Sequence, residues 1–328
     1  MSAQNLLEVK NLEVQYATST EVVHAVNGVS FFVKEGECLG LVGETGAGKT
    51  STALSILRLL SRPTGKVTKG EIIFNGQDLL KLSEADMRDV RGDDITMIFQ
   101  DPMTALNPVK TVGDQIAEVV RVHKHCTKAD AEEQACKMLE SVGIQSDRYK
   151  DFPHQFSGGM KQRVVIAMAL ACEPKLLLAD EPTTALDVTI QAQVIDMMVQ
   201  LRQKYNMSMI FITHDLGIVA DICDNVGIMY AGEIVEYGTL EDIFDARCHP
   251  YTRGLFESIP SLTKDVVRLT PIPGLAPDPA DLPGGCVFHD RCRYATDQCK
   301  EFSPKAVEVT SGHVVRCHLY AKESGKSE

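Results

Sequence analysis

The chain has 328 residues, 44% of them hydrophobic, and a formal net charge of −12. That length suits roughly two domains, and the acidic balance excludes a nucleic-acid surface or a site on anionic lipid, both of which need clustered Lys and Arg. No apolar run approaches the length of a membrane span, since the longest, Val164–Cys172, is nine residues. The N-terminus has no basic stretch followed by a hydrophobic one, so no signal peptide is expected, and the ten cysteines are expected in a reducing cytosol.

In chain order, Leu6–Lys10, Leu12–Tyr16 and Val29–Val33 alternate apolar and polar residues and predict short strands. The apolar stretch Cys38–Val42 then runs into Gly43-Glu-Thr-Gly-Ala-Gly-Lys49-Thr50, which reads GxxxxGKT. Glycines let the backbone wrap a phosphate chain. The N–H groups of Gly43, Glu44, Thr45, Gly46, Ala47 and Gly48, and of the first helical turn through Ser51, are placed to face it. Lys49 brings a mobile positive charge to the β- and γ-phosphates, and the Thr50 hydroxyl can ligate Mg²⁺. The bland alternative is a chance match in a glycine-rich turn. A strand before the loop and the amphipathic Thr52–Leu60 stretch after it argue for a bound nucleoside triphosphate.

A strand predicted over Ile95–Phe99 ends at Gln100. Helical periodicity over Val112–Val122 and Ala129–Val142 predicts an inserted helical subdomain at about 101–160. Ser157-Gly-Gly-Met160 opens an apolar helix, whose unpaired N–H groups and positive dipole could serve another phosphate; alone, it would read as an ordinary Ser cap. The continuous apolar runs Leu176–Ala179 and Met209–Thr213 predict central parallel strands covered on both faces. The first ends at Asp180-Glu181 and the second at His214. A carboxylate at the end of a buried strand, Asp180, can hold Mg²⁺, and Glu181 beside it can orient or deprotonate an attacking water. A solvated turn is the alternative for that pair. After about residue 236 the texture changes, and seven of the fourteen prolines fall between Pro260 and Pro304, predicting an extended surface crossing.

This ordered set, including Thr184-Ala-Leu-Asp187, resembles the nucleotide-binding subunit of ABC transporters from Tyr16 through about Gly238. The resemblance implies an α/β P-loop NTPase fold of the ABC type over residues 1–238, with an N-terminal antiparallel β subdomain and an inserted helical subdomain. It implies that Ser157, Gly158 and Gly159 grip the γ-phosphate of ATP held by a partner subunit. It also implies that His214 contacts that phosphate, Gln100 senses Mg²⁺ and the membrane partner, Tyr16 stacks on adenine, and Asp187 belongs to the D-loop. The signature departs from the commonest form, with Phe156 for Leu and Met160 for Gln, which leaves the phosphate contacts intact and a ribose contact from position 160 open.

The remaining residues, 239–328, form an extension with a four-cysteine segment at 284–318. Cys286, Cys292, Cys299 and Cys317 are separated by five, six and seventeen residues. Four thiolates can hold an iron–sulfur cluster or zinc. The absence of Cys-x₂-Cys knuckles favours [4Fe–4S] over zinc, and Arg291, Arg293 and Arg316 beside the cysteines could offset a net-negative centre. A disulfide pairing or no metal are the other readings. Cys38, Cys126, Cys136, Cys172, Cys223 and Cys248 read as small buried hydrophobes, and His123-Lys-His-Cys126 as a solvated helix end.

His249-Pro-Tyr-Thr252, Pro271-Ile-Pro-Gly274 and the cysteine segment resemble the C-terminal extension of dipeptide, oligopeptide and nickel importer ATPases, most of all the D-type ATPases of dipeptide importers. The resemblance implies ATP hydrolysis powering peptide import, with Lys49, Glu181 and His214 as the catalytic set. It also implies a peripheral place on the cytoplasmic face of the inner membrane. Its partners would be a second, paralogous ABC ATPase, two permease subunits and, indirectly, a solute-binding protein, with no nucleic acid. Competing readings are a nickel importer, a soluble ABC-type ATPase in DNA repair or translation, and an iron–sulfur redox sensor. Only 106 residues separate Thr50 from Ser157, without sustained heptads, which disfavours the DNA-repair relatives.

Overall fold

The computed structural model describes residues 5–100, 102–184, 186–258 and 271–321. Residues 1–4 of the N-terminal reading, residue 101 of the helical insert, Ala185, the Pro260 end of the proline-rich stretch and residues 322–328 lie outside that description. The chain divides into two compact units. One comprises Met1–Glu8, Phe32–Cys38 and Ile73–Thr213, and the other Val9–Phe31, Leu39–Ile72 and His214–Glu328.

The elements run β1 (Asn5–Ala17), β2 (Val22–Lys34), β3 (Cys38–Val42), α1 (Lys49–Ile56), β4 (Gly65–Phe74), β5 (Gln77–Asp78), α2 (Glu84–Asp93) and β6 (Ile95–Ile98). Then come α3 (Pro102–Ala105), α4 (Val112–Lys124), α5 (Lys128–Ser141), α6 (Gly158–Leu170), β7 (Leu176–Asp180), α7 (Val188–Tyr205) and β8 (Ser208–Thr213). The chain continues through α8 (Leu216–Ile222), β9 (Asn225–Tyr230), β10 (Glu233–Thr239), α9 (Leu240–Asp245), α10 (Pro250–Glu257), α11 (Asp297–Glu301), β11 (Ala306–Thr310) and β12 (His313–Arg316).

The first unit is built on parallel strands in the order β6-β7-β8, with Ile98 opposite Ala179 and Ala179 opposite Phe211. Every residue of β7 and β8 is buried, as continuous apolar runs require when both faces are covered. Helices α4 and α5 occupy the two stretches where periodicity predicts them. Thr111 and Thr127 cap α4 and α5 by accepting from the N–H groups of Asp114 and Asp130. Val112, Ile116 and Val120 of α4 are buried, as are Ala131, Ala135 and Met138 of α5. The His123–Cys126 run closes α4 with His125 left-handed at its C-cap, which is the helix-end reading.

In the second unit β3 pairs in parallel with β9, Val42 opposite Ile228, and β9 turns back on β10 through Ala231 and Gly232, both with positive φ. β12 pairs antiparallel with β10 and β11 with β12, so the C-terminal extension adds a hairpin to this sheet. The N-terminal strands lie in the order β2-β1-β4. What alternation suggests as two strands, Leu6–Lys10 and Leu12–Tyr16, is the single strand β1. Asn11 adopts φ 47°, its N–H donates to Ser30 Oγ at 2.8 Å, and this bulge returns Leu12 and Val14 to the buried face. No helix among the described residues is long and apolar enough to cross a membrane.

A buried carboxylate ties the extension together. Glu236 on β10 is fully buried and accepts from the backbone N–H of Cys248 at 2.6 Å and of His249 at 2.9 Å, and it pairs with His313 Nε2 of β12 at 2.9 Å. His249 caps α10 by accepting at Nδ1 from the Tyr251 N–H at 3.0 Å. Burial, with Arg253 nearby, pushes its pKa down from 6.5 to about 3. Because the folded state disfavours the imidazolium, His249's contribution is intact above about pH 6.5 and fades as pH falls toward 3, by about 1.4 kcal/mol per pH unit in that window. We therefore expect the urea midpoint to fall less steeply below pH 6.5 in His249→Asn, which keeps a capping oxygen, than in the wild type. Parallel pH profiles would show that His249 does not carry this dependence.

Candidate functional site

In the second unit, the buried β3 residues from Leu39 to Val42 lead directly into the phosphate-loop sequence. A Cβ on Gly43 would lie 2.1 Å from the Met229 carbonyl oxygen at the end of β9, so the loop leaves its strand in contact with neighbouring backbone. Gly48, with φ 96°, passes equally close to the Ala25 carbonyl, 2.3 Å from where its Cβ would be. The Gly232 N–H donates to the Ala47 carbonyl at 3.1 Å. Lys49 is buried inside the turn, and its ammonium donates to the carbonyls of Gly43 (2.7 Å) and Glu44 (3.0 Å). Thr45, Gly46 and Thr50 are exposed, and Gly46 has a φ of 84°. The half-buried Tyr16 places its hydroxyl 3.3 Å from Ser51 Oγ in the first turn of α1. His214 follows β8 and is exposed.

In the first unit, Asp180 ends β7 and is 2% exposed. Glu181 adopts φ 46°, an uncommon conformation for a residue with a side chain, and its N–H donates to the Ile212 carbonyl at 2.9 Å. Its carboxylate accepts from Gln100 Nε2 at 2.8 Å and from Thr184 Oγ1 at 3.1 Å. Gln100 and Glu181, far apart in sequence, are thus brought together. Ser157 caps α6 by accepting from the Met160 N–H at 3.4 Å. Gly158 faces open space, while a Cβ on Gly159 would meet Ile190 of α7 at 2.5 Å. Asp187 caps α7 by accepting from the Ile190 N–H. Met160 receives a contact from Arg148 on its sulfur. Sequence reasoning missed Gln162, a fully buried amide on α6 that donates to the Pro182 carbonyl and so joins the signature helix to the turn beyond Glu181. Its signal is a lone amide on an apolar helix face.

The extension supplies a second group of side chains. Cys286 and Cys317 are buried and Cys292 and Cys299 half-buried, and all four line one cavity of about 110 Å³. All ten cysteines of the chain are free thiols, so the disulfide reading falls. Burial pushes the Cys286 and Cys317 thiols up to about 11. Among the described residues, no three of these sulfurs lie within 4.8 Å of one another. Of the neighbouring arginines, Arg293 lies close enough to Cys292 to favour its thiolate, as charge reasoning expected, but all three are also engaged elsewhere. Arg291 pairs with Glu44, Arg293 with Glu257 and Arg316 with Glu233, because each finds a carboxylate within reach. Cys126, in the connection between α4 and α5, and Cys136, on α5, are half-buried, unlike the buried Cys38, Cys172, Cys223 and Cys248.

The family described as ABC transporter matches residues 26–184, and the C-terminal region of oligopeptide/dipeptide transporters matches residues 235–299. A dipeptide transport ATP-binding protein of Bacillus subtilis is 49% identical over 96% of this chain and 95% of its own length. An oligopeptide transport ATP-binding protein of the same organism is 50% identical over 98% of this chain and 91% of its own. Among solved structures, a dimeric ATP-binding cassette in a post-hydrolysis state bound to ADP and Pi aligns with a TM-score of 0.64. It has 25% identity and covers 71% of this chain and 98% of the cassette.

The crowding at Gly43 gives a direct test. Gly43→Ala must displace the loop from the Met229 carbonyl, so nucleotide affinity should fall by more than about tenfold. A fluorescent ATP analogue titrated against both proteins measures this, and an unchanged affinity would mean that the loop geometry does not set binding.

Proposed function

Because this chain belongs to the ABC transporter ATP-binding proteins of the oligopeptide and dipeptide importers, we propose that it hydrolyses ATP to drive peptide uptake through two membrane permease subunits. It works with a second ABC ATPase, a paralogue, and receives cargo indirectly through a solute-binding protein. It docks peripherally, on the cytoplasmic face of the inner membrane. Residues 1–238 act as the nucleotide-binding domain and 239–328 as its extension. The peptide cargo of the relatives supports this reading over a nickel importer or an ATPase of DNA repair or translation.

The observation that carries the chemistry is the setting of Glu181. It follows a fully buried strand, directly after Asp180, and its carboxylate is held by Gln100 and Thr184. A carboxylate oriented by two donors is suited to aligning and deprotonating a water. Lys49 and the amides from Gly43 to Ser51 hold the phosphates, Tyr16 supports the adenine, and His214 steadies the γ-phosphate. Ser157, Gly158 and Gly159 complete the partner's site, with Asp187 in the D-loop between them. The Thr50 hydroxyl of the second unit, and the Asp180 carboxylate and Gln100 carbonyl of the first, are oxygen donors of the kind that would hold Mg²⁺, which would supply neutralisation of phosphate charge. Replacing Glu181 by Gln should leave ATP binding intact and abolish turnover at this site. Steady-state phosphate release with the partner site intact checks this, and wild-type turnover would refute the assignment.

Cys286, Cys292, Cys299 and Cys317 would hold a [4Fe–4S] cluster, structural or regulatory, that takes no part in phosphoryl transfer. Free thiols around one shared cavity support it, and so does their spacing. Protein purified without oxygen should be brown and contain about four iron atoms per chain. Colourless protein with stoichiometric zinc would overturn the assignment.

A further inference from the structure

The extension reaches the phosphate loop through Tyr251 and, at the carboxylate of Glu44, through Arg291. Arg291 forks onto both carboxylate oxygens of Glu44, at 2.8 and 3.1 Å, across 247 positions of sequence. Its Nε donates to the Pro273 carbonyl at 2.9 Å, and its Nη1 also donates to the Tyr230 hydroxyl at 3.2 Å. The Arg291 side chain is only 7% exposed, so the pair is screened far less than a surface ion pair. Glu44 is held at every polar group. Its N–H donates to the Tyr251 hydroxyl at 3.0 Å, its carbonyl accepts from Lys49 and from the Ala47 N–H, and its carboxylate is taken by Arg291. Tyr251, Tyr230 and Phe288 pack as one aromatic cluster behind this contact, with ring centroids 4.6 to 5.4 Å apart.

Arg291 is itself fixed from the cysteine side. It ends the short turn His289–Arg291, in which the His289 N–H donates to the Cys286 carbonyl and the Cys292 N–H to the His289 carbonyl. A carboxylate in a loop that receives a triphosphate is electrostatically unfavourable unless a cation cancels it. We propose that Arg291 is a positioning residue for the phosphate loop, neutralising Glu44 and holding it in place, so that the cysteine-bearing extension sets the affinity for ATP. This rests on the reading of Gly43–Thr50 as the phosphate loop and does not depend on which metal the cysteines hold.

The test is equilibrium binding of ATP, ADP and adenosine to the full-length protein, with metal content and melting temperature measured on every variant. Arg291→Gln should weaken ATP binding about tenfold or more and ADP binding less, and should leave adenosine unaffected, because the exposed Glu44 charge repels in proportion to ligand charge. Adding Glu44→Gln to Arg291→Gln should recover most of the lost ATP affinity, a rescue that a purely structural role would not give. Arg293→Gln, which breaks an exposed pair with Glu257 on the other side of Cys292, controls for disturbance of the cysteine segment and should bind ATP like the wild type. Unchanged ATP affinity in Arg291→Gln, an equal loss for all three ligands, no rescue in the double variant, or an equal loss in Arg293→Gln would each overturn the proposal. If Lys49→Ala binds ATP as tightly as the wild type, the phosphate-loop reading itself has failed.

Discussion

The second unit depends on a backbone contact at the end of β3. Gly43 leaves the strand so close to the Met229 carbonyl that no side chain fits, and everything beyond it follows from that exit. The loop then closes over its own lysine, with the Lys49 ammonium bonded to two loop carbonyls, and α1 begins with its first-turn amides beside the turn. Strand β9, paired with β3, supplies the Met229 wall and the turn whose Gly232 N–H takes the Ala47 carbonyl. The loop is shaped by protein groups on several sides, which is what a binding site needs if little ordering is to be left to the ligand.

The C-terminal extension is part of that support. Glu236, buried on β10, gathers two backbone amides before α10 and the imidazole of His313 on β12, which fixes where α10 starts. Because α10 starts there, Tyr251 meets the Glu44 N–H. Because the turn between Cys286 and Cys292 is short, Arg291 meets the Glu44 carboxylate. Removing a buried carboxylate that serves three donors leaves each of them unsatisfied, a cost on the order of several kcal/mol, so the network is held in place by its own completeness.

Much of this was legible in the sequence. The strand into the GxxxxGKT loop, the buried strands before Asp180 and His214 and the helices over 112–122 and 129–142 all depend on local pattern, and local pattern survives folding. What was not legible has a common cause. The Arg291–Glu44 pair joins residues 247 apart, and nothing local to either announces it. Three arginines beside cysteines invited a charge-offset reading, yet each is claimed by a carboxylate that only the fold brings near. The two strands read before Tyr16 are one, because the left-handed Asn11 shifts the alternation without ending the strand. Gln162 stayed hidden because one amide on an apolar helix does not reveal the carbonyl it will meet.

The most direct test of the shared support is hydrogen exchange at the loop in protein free of nucleotide. A loop held by Tyr251, Arg291 and the β9–β10 turn should protect the Glu44 N–H nearly as well as the amides of β3, with Thr45 and Gly46 exchanging faster. Exchange at the Glu44 N–H as fast as in an unstructured loop would contradict the account, since the ligand would then have to impose the conformation itself.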